Sequence, residues 1–399
     1  SALVYPWFTF HDMQGNQVIG GIAQEIVSRL QDMGASPGHL RDTVGFVWSV
    51  TPYEKEAYKL LALEMLKEAG VDLLLHSLVH RVELNKGDIT SVETVGKYGS
   101  ETIKGNLFID ATGDADLATL VGAPILKGRL SDGKVQAVTM VFRLGGVAVE
   151  EIKQYIIANP NEFHHQSLIK ELENLPLTAV SGFFEHWKKA PNSIPRDRLL
   201  FFIGPRADEA GVNTTRVIDI DPVNPLDITR AEIEGRNQVA QLTKFMKDEI
   251  PGFHDSYLIE IAPQIGVRES RRILGEFILT EEDVLAGRKF DDVVARSGAP
   301  IDIHVPGGKG LQLADVHKAY DIPYRVLLPQ NVNNLLVTGR AVSCSHEAFA
   351  SLRVTAPAMA LGQAAGTAAA ICAIEGNNLH KINIEKLQTI LRDNGAILD

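Results

Sequence analysis

Two short apolar runs, Leu107-Phe108-Ile109 and Asn334-Leu335-Leu336-Val337-Thr338, each lead directly into a glycine, at Asp110-Ala111-Thr112-Gly113-Asp114 and at Gly339-Arg340. Continuous apolar runs this short, closed by turn residues, read as strands buried on both faces, and such strands belong to mainly parallel sheets. In an open α/β sheet, ligands gather outside the carboxyl ends of the strands. The pair therefore predicts an α/β fold in which Gly113 and Gly339 end neighbouring strands of one parallel, Rossmann-like sheet.

The segments between fill in that plan. Thr51-Pro52-Tyr53-Glu54 offers a hydroxyl cap, a proline for the first helical position and a carboxylate for a capping box. Ala57, Leu60, Leu61 and Met65 recur at helical spacing, so a helix is predicted over 52–69, ended by Gly70. Val71-Asp72-Leu73-Leu74-Leu75 reads as the buried strand after it. From about His80 to Lys104 short alternating strands with turns at Lys86-Gly87-Asp88 and Tyr98-Gly99-Ser100 predict a small antiparallel meander. Residues 131–325 read as a mixed α+β substrate or cap domain, with a strand near 137–144 and helices near 149–158 and 229–248. The expected division is a discontinuous cofactor domain, 1–130 with 326–399, interrupted by that cap. A long closing helix is predicted from about Thr355.

Charge narrows the function. The formal net charge of -11 is spread over mixed-sign segments without a basic stripe, which argues against nucleic acid as a partner. Cys344 and Cys372 form no C-x-x-C pair and no disulfide framework, which favours a reducing, cytoplasmic setting, although an upstream targeting signal is compatible with the sequence. Ala356 to Ile374 is uncharged and apolar, but it consists largely of Ala and Gly with Gln363 and Thr367, which suits a closely packed internal helix better than a membrane span. Gly128 to Lys134 has the spacing of a phosphate loop, yet Val135 stands where a Ser or Thr should hold magnesium, and Ser131-Asp132-Gly133 reads as a turn. His346-Glu347 lacks the partners of a zinc helix, so no metal is expected.

The candidate chemistry lies around the second strand. Between it and the closing helix runs Ser343-Cys344-Ser345-His346-Glu347-Ala348-Phe349-Ala350-Ser351-Leu352-Arg353, a polar stretch where a loop should cross the site. His346 is the proton-exchanging candidate and Arg353 the anion-binding one. Val354, Thr355 and Ala356 open the helix whose free N–H groups and positive dipole end suit the electron-rich edge of a reduced flavin. Arg268-Glu269-Ser270-Arg271-Arg272, bracketed by Gly266 and Gly275, adds Arg268, and His304 and Arg325 lie in similar contexts. Each has a plainer reading: His346 as a hydrogen-bonded structural residue, the arginine run as a solvated face with local ion pairs.

Taken together, Phe108 through Ala118, Gly266 through Arg272, Ile322-Pro323-Tyr324-Arg325 and Asn334 through Gly366 resemble the FAD-dependent oxidoreductases of the glutathione-reductase-type superfamily. The resemblance implies FAD as cofactor, with Thr112, Gly113 and Asp114 near the dinucleotide and Gly339, Arg340 and the turn from Arg353 to Ala356 along the flavin. It implies hydride transfer from a small or medium polar organic substrate, His346 or His304 taking the proton and Arg268 or Arg353 holding the polar end. The electron acceptor is left unnamed, and a homo-oligomer is compatible with the sequence. Members of that superfamily begin with a strand, G-x-G-x-x-G and helix, and no G-x-G-x-x-G occurs here. Ser1-Ala2-Leu3-Val4 resembles the stretch just after such a unit, so roughly forty to fifty residues, the size of one βαβ unit and its exit, are expected upstream. The rival expectation is a non-catalytic, truncated or split scaffold subunit whose partner supplies the dinucleotide grip.

Overall fold

The computed structural model describes residues 5–164, 166–305, 308 and 310–399, so the Ser1-Ala2-Leu3-Val4 stretch lies outside the described residues. Helix α1 (Gly21–Asp32) buries Ala23, Ile26, Val27 and Leu30. Helix α2 (Lys55–Glu68) starts three residues later than the sequence suggests. Thr51 does not cap it, because its hydroxyl is taken by the His39 ring at 2.8 Å. The meander is as expected: β1 (Leu78–Asn85), β2 (Asp88–Gly96) and β3 (Gly99–Lys104) pair antiparallel in that order. Strand β4 (Phe108–Asp110) comes next, and α3 (Asp116–Leu120) turns away from it.

The region expected to form the cap contains a five-stranded antiparallel sheet, the cap sheet. Strand β5 (Phe142–Gly145) leads into α4 (Val149–Ala158), and β6 (Ala179–Gly182), β7 (Leu199–Ile203) and β8 (Ala210–Val212) come after it. Helix α5 (Pro225–Glu249), capped by Asn224, crosses to β9 (Tyr257–Ile261), and the strand order is β6-β7-β8-β5-β9. Its core holds Phe142, Leu144, Phe201, Val212, Phe245 and Phe253, all buried.

Strands β10 (Ile301–His304) and β11 (Leu311–Ala314) form a hairpin against the cap. The last third supplies β12 (Leu335–Val337), α6 (His346–Leu352) and α7 (Thr355–Glu375). Strand β12 lies parallel to β4, with Leu335 opposite Phe108 and Val337 opposite Asp110. Gly113 and Gly339 thus lie just past the carboxyl ends of neighbouring parallel strands, as the sequence pattern requires.

That parallel sheet is smaller than expected. Among the described residues it has two strands, and every other strand pairing is antiparallel. Val71–Leu75 is not a buried strand: it is irregular and exposed, Leu75 at 67%. The apolar run specifies a surface that wants a neighbour and cannot itself supply one. Helix α7 is long and apolar enough to cross a membrane by length and composition, but Leu361, Ala364, Ala365, Ala368 and Ile371 pack into the carboxy-terminal core. Gln363 on the same helix turns to α1, where its Oε1 accepts from the Ile22 N–H at 3.0 Å.

Candidate functional site

A cleft of about 130 Å³ opens between the cap sheet, the β10–β11 hairpin and the α6–α7 junction, lined among others by Arg268, Asp302, His304, Arg353 and Val354. Alternation along β10 brings Asp302 and His304 to the same face of the strand. Arg268 arrives from the segment after the cap sheet, and Arg353 is the first of the two residues between α6 and α7. Three segments distant in sequence therefore converge.

The hydrogen bonds fix the protonation pattern. His304 Nε2 lies 3.4 Å from Asp302 Oδ2, and Nδ1 faces Arg216 at 3.3 Å and Arg196 at 3.5 Å. Guanidinium groups only donate, so Nδ1 is an acceptor and Nε2 carries the proton toward Asp302. Burial and the Arg268 and Arg196 cations push His304 well below the ordinary imidazole value, against the pull of Asp302. The ring is neutral and both its nitrogens are engaged. Burial would raise the Asp302 carboxyl, but the His304 hydrogen bond and the Arg353 and Arg268 cations outweigh it and hold the group ionised. Arg353 donates to the Asp302 carbonyl at 3.0 Å and to its Oδ2 at 3.3 Å. Arg268 has only neutral partners: the Ala137 carbonyl at 2.8 Å, the Thr139 hydroxyl and Asn213 Oδ1 at 3.3 Å.

His346 does not join them. It opens α6, capped by Ser345, and buries its ring with Nδ1 2.9 Å from Glu269 Oε1. Glu269, fully buried, also accepts from Arg272 and from the Gln136 N–H at 3.0 Å. His346 thus lies beside Glu269 and not at the cleft, its Nε2 buried without a partner among the described residues: the polar run 343–353 is mostly helix, and helical rotation turns His346 to the core while leaving Arg353 at the cleft. Arg325, too, is spent in an ion pair with Asp292 at 2.9 Å, away from the cleft. Arg196, Arg216, Asn213 and Asp302 are not singled out by the sequence. Only the alternation Asp302-Ile303-His304 carries a signal.

The ends of β4 and β12 form a second arrangement beside the cleft. Asp110 accepts from the Thr112 N–H and hydroxyl, which folds the loop back on itself. Asp114 accepts from Ser270 and from Arg340, at 3.1 Å for the latter. Gly113 (φ +79°) needs its freedom, since a Cβ there would meet the Arg340 guanidinium at 3.0 Å; Gly339 (φ +71°) faces open space.

The family model described as FAD dependent oxidoreductase matches residues 1–391. The chain belongs to that family. FAD is accordingly its cofactor. Among curated proteins no relative matches. Solved structures similar to this family member include a triple mutant of the flavin-dependent brominase Bmp2 (11% identity, TM-score 0.45, covering 98% of this chain and 75% of that one). Two others are p-nitrophenol 4-monooxygenase PnpA from Pseudomonas putida (9%, 0.39, 94% and 64%) and a geranylgeranyl bacteriochlorophyll reductase-like protein from Thermoplasma acidophilum (13%, 0.41, 88% and 62%). The chain thus spans less than two thirds of the length of the latter two.

The residues present fit the flavin end of such a cofactor. Helix α7 has no side-chain cap, so the N–H groups of Thr355 and Ala356 are left to an electron-rich partner. Gly362 and Gly366 on the same helix have open space where a Cβ would stand. Arg340 Nη1 and Thr338 Oγ1 are buried without a hydrogen-bond partner among the described residues. Val354 connects this helix end to the cleft.

Proposed function

We propose that the chain oxidises a C–H bond of a small or medium polar organic molecule held in the cleft, next to the flavin end of FAD. The observation that carries this reading is the convergence of Arg268, Asp302, His304 and Arg353 on a cleft bounded by the amino end of α7. FAD, when bound, supplies the hydride acceptor. Gly339, Arg340, Thr355 and Ala356 hold its flavin end, and Thr112, Gly113 and Asp114 shape the adjoining loop. Arg268 and Arg353 bind the polar end of the substrate. Asp302 Oδ1, an atom buried without a partner among the described residues, is left to accept a hydrogen bond from the substrate. His304, with both nitrogens occupied, positions that carboxylate.

The pyrophosphate grip comes, in this reading, from an upstream strand, glycine turn and helix. Strand β4 has one partner, and Ile109 on it is 39% exposed. Leu60, Leu63 and Leu66 on α2 and Leu73, Leu74 and Leu75 after it are exposed together. An unpaired strand edge is a place for another strand to add, and an exposed apolar surface a place for a further element to cover. The division into a cofactor domain, 1–130 with 326–399, and a cap, 131–325, a cytoplasmic setting, an unnamed electron acceptor and an optional homo-oligomer belong to the same reading. It is tested by expressing the gene with its upstream coding sequence and recording flavin absorbance, then its bleaching by candidate substrates without oxygen. A colourless, folded product would overturn it.

A further inference from the structure

Among the described residues, one arginine of the cleft wall, Arg268, has no carboxylate within salt-bridge distance. Arg196 and Arg216 are buried, and neither they nor Arg268 has a carboxylate within salt-bridge distance among the described residues. Their hydrogen-bond partners are neutral: His304, the carbonyls of Asn213, Val305 and Gly310, and the partners of Arg268 already named. Arg353 shares Asp302 with His304. The other carboxylate at the cleft, Asp42, is enclosed by the N–H groups of Val44, Gly45 and Val47. Arg268 and Arg353 line the cleft, with Arg196 and Arg216 behind His304, and among the described residues only Arg353 of the four pairs with a carboxylate. The Nε donors of Arg196, Arg216 and Arg353 are buried without partners among the described residues. Uncompensated buried cations are costly and persist where something outside the fold offsets them.

The remaining walls have the opposite character. Phe8, Val44, Phe46, Leu200, Phe202 and Leu313 face the same space. An occupant matched to both halves carries a negative group at one end and an apolar body at the other. A second charge on it would lie against those rings and lose its hydration without compensation.

We propose that the cleft selects a monocarboxylic acid with an aromatic or branched aliphatic body, its carboxylate on Arg268 and Arg353 and its body between Phe8, Phe46 and Phe202. This rests on the reading of the cleft as the substrate site and names the class of molecule that site takes. The carboxylate-free Arg268 sets the preference for an acid over its amide, and the apolar wall sets the preference for phenylacetate over acetate or succinate.

The test is calorimetric titration of the purified chain with phenylacetate, phenylacetamide, acetate and succinate. Phenylacetate is expected to bind at least about tenfold more tightly than each of the others. Arg268→Gln should remove that preference. Because a variant at a buried site can fail to fold, its melting temperature is recorded alongside, and Arg353→Gln serves as a second variant. A folded Arg268→Gln or Arg353→Gln that keeps the acid preference would overturn the proposal, as would phenylacetamide or succinate binding as tightly as phenylacetate. Flavin absorbance is read separately: a yellow protein that prefers the amide defeats this proposal and leaves the flavoenzyme reading standing. A colourless extended chain that binds phenylacetate does the reverse.

Discussion

Arg268 and Glu269 are neighbours in the chain and enter opposite surroundings. Glu269 joins a buried cluster in which its carboxylate is matched by Arg272, which also donates to the carbonyls of Cys344 at 3.1 Å and Gly128 at 3.0 Å. Arg268 enters a cleft where, among the described residues, its own hydrogen-bond partners are all neutral. Both clusters are buried and polar, and each contains a histidine. The first is charge-balanced by the protein itself and ties the cap to β12 and α6; the second is left for a ligand to balance. Burial and hydrogen bonding alone do not mark a functional site; an unmatched charge does.

The largest expected effect falls on the balanced cluster. Glu269→Ala leaves Arg272 buried without its counter-ion, and the loss should be about 3–5 kcal/mol, seen as a lowered denaturation midpoint and, at physiological temperature, poor yield of folded protein. In the cleft, Arg268→Gln should instead lower kcat/KM for an anionic substrate by about a hundredfold, the scale of a truncated charge-assisted contact, with little change in denaturation midpoint. The free edge of β4 gives a conditional outcome. Ile109→Lys should change the stability of this chain by less than about 0.5 kcal/mol, since the side chain is exposed, but should weaken flavin retention when the upstream segment is present.

A pH dependence should accompany these effects. Burial lowers the pKa of His39 to about 4, while its ring accepts from Thr51 and donates to Gln24. The unfolded chain takes up a proton near pH 6.5 and the folded chain does not until about 4. The unfolded state therefore binds more protons in that window, and stability falls as pH falls from about 6.5 to 4. The dependence of melting temperature on pH across this range should flatten in His39→Gln. His304 is shifted in the same direction and adds to the slope.

How much of this is legible in the sequence differs between the same two clusters. The β4 and β12 strands with their glycines, the meander, and helices such as Val149–Ala158 come from local periodicity, and the structure has them where the pattern puts them. Arg268, His304 and Arg353 are identifiable as polar groups near predicted turns, though nothing local shows that they meet. Local context does not show where His346 lies, because its partner, Glu269, is 77 residues away. Arg196 and Arg216 are invisible for the same reason: their environment is created by β10, which pairs locally with β11 and reaches the cap only in the folded chain. Val71–Leu75 fails differently, since an apolar run reports the need for burial and not the presence of a neighbour.

A matched and an unmatched buried arginine should respond oppositely to removal, and one paired measurement addresses that difference directly: the melting temperatures of ligand-free Arg272→Met and Arg268→Met beside the unaltered chain. Arg272→Met strands Glu269 and should melt well below it, whereas Arg268→Met removes an uncompensated cation and should melt at the same temperature or higher. Equal and large losses in both variants would show that Arg268 is as structural as Arg272 and would contradict the cleft's assignment as an anion site.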